Sequence, residues 1–387
     1  MLLIGSDLVC GQTKYQKDFD EFWVNIHDNY AYLKQQDINW DKVKKIYRPK
    51  ADPISSKDEF VRLLENVLCE LYNGHSSLNT NLESSNRLVP SGQDMYVEKI
   101  GGRFIVTDLR NNHGAQKCGL KIGMEILEFN GQPVEEQLTK FLPKYTTTYN
   151  SEMLQFALDM IFAGTHDKAR SITTLENGHK QVFFPDSVKI ESPKRSLEFR
   201  QINKNTGYIR INNSLGNNDL IAAFDHALDS LFNTDNLVID LMETPGGGNS
   251  TVARAMMGRF IHEKLPYQQH EVDETAYDTK RYWVEYVLPR KNTYKGKVYV
   301  LVGHWTGSMG EGIAIGFDGM KRATVIGTKM AGLLGSIEGF ELTETKIRYQ
   351  FPTERLYHVN GTPREKYLPK VLTKNTEETY KEMAKIK

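Results

Sequence analysis

The stretch from Val298 to Lys329 constrains this chain most, because its texture changes three times within a few residues. Val298-Tyr299-Val300-Leu301-Val302 is a β-branched apolar run of the kind that forms a buried strand, and it breaks at Gly303. His304-Trp305-Thr306-Gly307-Ser308-Met309-Gly310-Glu311-Gly312 then leads into Ile313, Ala314, Ile315 and Phe317. A serine therefore stands where a strand passes into a helix, between small residues that allow a tight bend. Such a turn holds a hydroxyl clear of the core and places helix N-terminal amides near a developing oxyanion, which suits a nucleophile. On these residues alone, the alternative is a serine cap on an ordinary strand-to-helix turn.

Composition narrows the chemistry. Lysine plus arginine and aspartate plus glutamate both number 49 among 387 residues, so no electrostatic footprint for nucleic acid is expected. The three cysteines, Cys10, Cys69 and Cys118, form neither a CxxC pair nor an even disulfide framework. His262-Glu263 runs on to Leu265-Pro266 without a second histidine, so no metal and no cofactor is expected to carry the reaction. No apolar run reaches transmembrane length, and no integral membrane segment is expected. Residues 1–12 read as the remnant of an export signal, a clipped apolar core followed by small residues, which predicts a periplasmic or secreted protein. A plain terminus on a cytoplasmic protein is the other reading.

Along the chain, Phe19, Phe22, Trp23, Ile26 and Tyr30 fall at helical spacing, as do Trp40, Val43, Ile46 and Tyr47. Ser56-Lys57-Asp58-Glu59 is a capping box ahead of Phe60, Leu63, Leu64, Val67, Leu68 and Leu71. These segments predict an N-terminal helical bundle over 14–80, its third helix ending at Asn73-Gly74 with the glycine as left-handed terminator. Short strands and turns follow from Gln93. Residues 141–200 add a connecting helix near Ser151–Phe162 and a hairpin at Asn177-Gly178, read as scaffold. From 201 onward, strands such as Leu237-Val238-Ile239-Asp240-Leu241 alternate with amphipathic segments, the pattern of a layered α/β domain over 201–387. Glycines just past that strand, in Thr244-Pro245-Gly246-Gly247-Gly248, allow bare amides to approach a reacting carbonyl. Residues 262–296 read equally as an excursion beside a cleft or as solvated loop.

Thr306-Gly307-Ser308-Met309-Gly310-Glu311, with Ala323-Thr324-Val325-Ile326-Gly327 after it, resembles the core of the tail-specific (C-terminal processing) serine peptidases, which include tricorn-like enzymes. The resemblance makes Ser308 the nucleophile. It also makes His75, in Leu71-Tyr72-Asn73-Gly74-His75-Ser76-Ser77-Leu78, the general base, with Asn73 standing for the family's aspartate. Gly246 or Gly247, with Met309, is implied as the oxyanion hole. Met242 and Thr244 replace the arginine and asparagine usual in that turn. Gly119 to Val134 is similar to the signature of PDZ domains, implying a PDZ-like module over 92–140, although Lys99-Ile100-Gly101-Gly102 is a poor carboxylate-binding loop. Leu333 occupies the place of the lysine used by dyad-type members, and Lys329 lies too early. Gly361-Thr362-Pro363-Arg364-Glu365-Lys366-Tyr367-Leu368-Pro369 is similar to the segment that supplies tricorn-like members with a glutamate, which makes Glu365 the third member of a Ser-His-Glu triad. The implied fold is a ClpP/crotonase-like ββα core with a helical bundle and a PDZ-like domain. The implied function is an endopeptidase acting on unfolded or tail segments of peptide and protein substrates. A non-catalytic peptide-binding protein of the same fold and a crotonase-type acyl-transfer enzyme are the alternatives.

Overall fold

Three sheets and the helices that cover them organise the computed structural model of the protein, which describes residues 12–176 and 178–386. The export-signal reading of residues 1–12 falls, Gln12 excepted, outside the described residues.

The N-terminal helices form where the apolar spacing predicts. Lys14–Asn29 starts on a Thr13/Gln16 capping box, Trp40–Tyr47 on Asn39, and Lys57–Cys69 on the Ser56/Glu59 box. Phe19, Phe22, Ile26, Val43, Phe60, Leu64 and Val67 are fully buried and share one core with Tyr349 and Phe351 of a late strand. The rings of Phe22 and Tyr349 lie 4.8 Å apart. The third helix stops at Cys69, earlier than predicted, and three successive i→i−3 hydrogen bonds carry the chain to Tyr72. Tyr72 (φ 34°) takes the left-handed conformation expected of Gly74. Gly74 is needed for a different reason: a Cβ there would sit 2.8 Å from the Val89 carbonyl oxygen.

The next sheet is antiparallel, in the order Met95–Ile100, Arg103–Leu109, Glu125–Phe129, Ile172–Glu176, His179–Phe183, with Gln132–Pro133 paired to Glu125–Phe129. The hairpin read as scaffold therefore belongs to the same sheet as the strands before it, because Glu125–Phe129 pairs with Ile172–Glu176. Gly101-Gly102 (φ 57° and 80°) closes the two-residue turn of the first hairpin, which two positive φ values favour. Helix Ser151–Ala163 packs against Met95–Ile100.

The C-terminal half builds a six-stranded sheet in the order Val371–Leu372, Ala323–Gly327, Lys297–Val302, Asn236–Asp240, Thr206–Ile211, Leu197–Asn203, parallel except for its last pair. Helices Leu220–Ser230, Ser250–Met257 and Met309–Gly319 cover one face through Phe224, Met256, Ile315 and Phe317. Thr376–Met383 covers the other, against Tyr208, Val238, Leu301 and Ile326. Burial on both faces explains why Asn236–Asp240 reads as a continuous apolar run. Residues 262–296 resolve into a long hairpin, Leu265–Glu274 with Thr279–Val287. It joins Arg348–Tyr357, Ser336–Glu341 and Ser77–Leu78 in a third sheet against which the N-terminal helices pack.

One buried carboxylate ties that third sheet to the first helix. Asp18 is fully buried and accepts the backbone N–H groups of Glu344 (2.9 Å) and Thr345 (2.7 Å) at the turn before Arg348–Tyr357. Replacing it with alanine strands both donors, and Asp18→Ala is expected to cost about 2–3 kcal/mol. Equilibrium denaturation checks this; a loss below ~0.5 kcal/mol would contradict it.

Candidate active site

Two adjacent parallel strands, Asn236–Asp240 and Lys297–Val302, leave the sheet at their carboxyl ends, where ligands of open α/β sheets bind. The segments beyond them are cross-tied. Thr306 Oγ1 donates to the Leu241 carbonyl (2.9 Å) and accepts from the Gly303 amide (2.9 Å), while Thr244 Oγ1 donates to the same carbonyl (2.7 Å). The Gly307 amide donates to Thr244 O at 3.2 Å. Thr244 thus braces the glycine turn where the family has asparagine, and a Cβ on Gly310 would meet its hydroxyl at 2.5 Å. Glu243 accepts from Nε of Arg110 at 2.9 Å, both side chains being buried, which fixes the turn to the antiparallel sheet.

Ser308 sits on the bend with φ 51° and ψ −111°, a conformation that L-residues rarely adopt and that costs of order 1–3 kcal/mol. What holds it is Glu311, fully buried one turn on. Glu311 Oε2 accepts from the Ser308 amide (2.8 Å) and Oε1 from the Gly332 amide (2.9 Å). Burial pushes its carboxyl up to about 7, against the opposing pull of Arg364 and those two amides.

His75 meets Ser308 from the end of the helical bundle. Asn73 Oδ1 accepts the His75 amide at 3.0 Å, so the asparagine that replaces the family's aspartate still shapes this turn. Nε2 of His75 lies 3.1 Å from Ser308 Oγ, and Nδ1 lies 2.7 Å from the Leu334 carbonyl oxygen. The carbonyl can only accept, so Nδ1 carries the proton and Nε2 is left free to take one from the serine. Burial, reinforced by the charge of Arg364, lowers the imidazole to about 4.

The carbonyl that orients the imidazole belongs to a segment clamped from two sides. Arg364 Nη2 donates to Leu333 O (2.9 Å) and Gly335 O (2.8 Å), Glu311 takes the Gly332 amide, and the Ala331 amide donates to Thr306 O at 3.0 Å. Leu333, at the dyad lysine's position, is buried; its methyl groups lie 3.2 Å and 3.1 Å from where Cβ atoms on Gly74 and Gly307 would stand. It packs where the His75 and Ser308 segments meet. Lys329 is exposed.

The structure therefore brings Ser308 and His75 together and gives Nδ1 to a main-chain oxygen, where the expectation was the Glu365 carboxylate. Glu365 lies beside Arg364 in the turn Arg364–Lys366 and lines a neighbouring cavity of about 440 Å³ with Gly74, Leu333 and Leu334. Its Oε2 has no hydrogen-bond partner, and burial raises its pKa. The oxyanion expectation also divides. The Gly246 amide is committed to Asn213 Oδ1 (2.8 Å), whereas Gly247 (φ 61°) makes only a long 3.2 Å turn bond to Thr244 O. A Cβ on Gly247 would lie 2.4 Å from Ser308 Cβ and 3.1 Å from the Met309 amide nitrogen, so Gly247 and Met309 flank Ser308. Sequence reasoning missed Arg364, Asn213 and the Leu334 carbonyl. The carbonyl has no side-chain signature, and Arg364 was visible only as the neighbour of Glu365.

The lowered pKa of His75 sets a pH dependence. For a histidine serving as general base the neutral form is the active one, so activity is expected to persist as pH falls below the ordinary histidine value of 6.5 and to decline toward 4. Folding stability moves the same way: it is fully present above 6.5 and lost as pH falls toward 4, because the unfolded chain takes the proton first. A pH profile of kcat/KM checks the first statement, and an acid limb centred near 7 would contradict it.

Residues 205–371 match the family described as Peptidase family S41, and residues 12–69 match the Tricorn protease C1 domain. No curated protein matches the sequence. Among solved structures the fold is similar to mature CPAF complexed with lactacystin, at 13% identity and TM-score 0.65 over 93% of each chain. It is also similar to the photosystem II D1 C-terminal processing protease, at 16% identity and TM-score 0.57 over 94% of each. A peptidase from Parabacteroides merdae ATCC 43184 aligns at 15% identity and TM-score 0.55, over 96% of this chain and 93% of its own. Residues 205–371 are thus similar to Peptidase family S41 and residues 12–69 to the tricorn C1 domain, and the protein is a serine-type peptidase.

Proposed function

We propose that the protein is an endopeptidase in which Ser308 attacks the scissile carbonyl and His75 takes its proton, later returning it to the leaving amine. The observation that carries this reading is the 3.1 Å approach of His75 Nε2 to Ser308 Oγ on a strained bend. The amides of Gly247 and Met309 receive the oxyanion at the head of helix Met309–Gly319. Glu365 acts as third member from a distance: its carboxylate offsets the charge of the imidazolium while the Leu334 carbonyl fixes the tautomer. A non-catalytic peptide binder has no need of such a pair, which disfavours that alternative.

The open cleft favours an extended chain as substrate. The cavity at Ser308, about 480 Å³, lies between the carboxyl edge of the parallel sheet and a face of the third sheet, lined by Gly74, Pro245, Gly248, Ile337 and Leu356. Unfolded or tail segments fit such a cleft, in keeping with the processing protease among the structural neighbours. In this reading the parallel sheet with Met309–Gly319 is the ClpP/crotonase-like core, and the antiparallel sheet is the PDZ-like module that presents the chain. Action in the periplasm or outside the cell follows from the signal reading of residues 1–12.

Ser308→Ala and His75→Ala are each expected to lower turnover of an unfolded protein substrate by roughly 10⁴-fold or more with melting temperature unchanged. Lys329→Ala should stay near wild type. Full activity in Ser308→Ala would end the peptidase mechanism. Glu365→Gln should cost about threefold to thirtyfold in kcat, less than a directly bonded triad carboxylate, with KM nearly unchanged. A loss near 10⁴-fold would mean that Glu365 contacts the imidazole during turnover.

A further inference from the structure

The strand Ser336–Glu341 begins where the clamped segment Gly332–Gly335 ends, and one of its two edges is bare. It pairs with Arg348–Tyr357 alone, and no other strand lies along its far edge among the described residues. Ser336 and Ile337 line the Ser308 cavity, together with Gln350 of the paired strand. Ile337, Glu338 and Gly339 are all exposed, and a Cβ on Gly339 would meet no atom within 4 Å.

The register decides which backbone groups of this strand are free. Ile337 lies opposite Pro352, Glu338 opposite Phe351, Gly339 opposite Gln350 and Phe340 opposite Tyr349. Proline has no N–H, and the Pro352 carbonyl accepts from the Ala31 amide (3.0 Å), so Pro352 gives nothing to Ile337. The Arg348 carbonyl likewise accepts from the Asn79 amide (2.8 Å), on the side of Ser77–Leu78. In an antiparallel ladder successive residues turn their N–H and C=O groups to alternate sides. Phe351 and Tyr349 therefore bond to Glu338 and Phe340, while Ile337 and Gly339 turn their groups to the bare edge. Side chains alternate in step: Phe340, Tyr349 and Phe351 pack into the bundle core, and Ile337 and Gln350 face the cavity. Asp18 fixes the turn of this hairpin, so the edge needs no ordering before it binds.

Resting on the peptidase reading above, we propose that the substrate adds to this edge as an extra β-strand, exchanging main-chain hydrogen bonds with Ile337 and Gly339. An extended rise of about 3.3 Å per residue puts Ile337 within about 10 Å of Leu334, whose carbonyl bonds to His75. A chain seated on the edge therefore carries its adjoining residues to Ser308. Main-chain pairing reads extension rather than side chains, so it selects unfolded segments of varied sequence, whose amides are not already committed. The same pairing covers an edge that is otherwise open to aggregation.

A decapeptide spanning a cut mapped by mass spectrometry in casein tests this on the full chain, with one N-methyl group placed on each backbone amide in turn. Away from the scissile amide, kcat/KM is expected to fall at least about tenfold at two positions two residues apart, and less than about threefold at the residue between them. This alternation holds whether the added strand runs parallel or antiparallel. Gly339→Pro deletes the outward N–H while leaving the ladder to Arg348–Tyr357 intact, a placement that edge strands tolerate. It should lower kcat/KM for the unmodified peptide at least about tenfold with melting temperature unchanged, whereas Gly339→Ala, which keeps the amide, should lower it less than about threefold. If Gly339→Pro fails to fold, the scan on wild type decides alone. A flat or non-alternating scan overturns the edge, as does a folded Gly339→Pro with wild-type kcat/KM. Fluorophosphonate labelling of wild type separates the two readings. Labelled Ser308 with a flat scan, or with no cleavage to scan, removes only the edge, whereas no labelling and no cleavage removes the peptidase mechanism as well.

Discussion

The active site depends on a clamp made by two buried ionic side chains, Arg364 and Glu311, around the segment Gly332–Gly335. Arg364 Nη2 donates to the carbonyls of Leu333 and Gly335, the Glu311 oxygens accept from the amides of Ser308 and Gly332, and the two groups approach to 4.0 Å. Neither is more than 2% exposed. Burying charges is expensive unless they are hydrogen-bonded, and here Arg364 Nη2 and both Glu311 oxygens are bonded to main chain, while Arg364 Nε has no partner among the described residues. The result is a rigid strip of backbone whose Leu334 carbonyl faces the imidazole and whose neighbouring carboxylate holds the strained serine. Gly335 (φ 55°) is required there, since a Cβ would lie 2.1 Å from the Glu354 carbonyl oxygen. Burial first, and then the cation that fixes the strip, disfavour a charged His75.

Every other part of the fold delivers a group to this strip. The parallel sheet brings the glycine turn and the serine bend side by side, because their strands are neighbours in register. The helical bundle ends at the histidine, and Ser77–Leu78 anchors it by pairing with Arg348–Tyr357. That same long strand packs Tyr349 and Phe351 into the bundle core, so bundle and site share one support. The proposed catalytic pair, His75 and Ser308, is separated by 233 positions in sequence, and the meeting of two sheets with the bundle places it within hydrogen-bonding distance.

What was legible in the sequence was local. The capping box at Ser56, the apolar strand before Gly303 and the small residues around Ser308 announce their structures through short-range hydrogen bonding and steric limits. Resemblance extended this to His75, which geometry then set beside the serine. What escaped was set by tertiary contact. The third helix ends early because its continuation turns toward the catalytic cleft, and the tyrosine-rich stretch after His262 becomes a hairpin because Arg348–Tyr357 offers it an edge. The imidazole's partner is a main-chain oxygen held by an arginine next to the glutamate that motif matching singles out. No side-chain pattern encodes a carbonyl's direction, so the sequence pointed to the right turn and the adjacent residue.

The most direct measurement is peptide mapping after reaction with a fluorophosphonate, made in parallel on wild type, His75→Ala and Lys329→Ala. The structure predicts a single adduct on Ser308, formed at a similar rate in wild type and Lys329→Ala and suppressed in His75→Ala, because His75 alone contacts the serine hydroxyl as a base. An adduct on another residue, or one that survives loss of His75 and vanishes with loss of Lys329, would contradict the account.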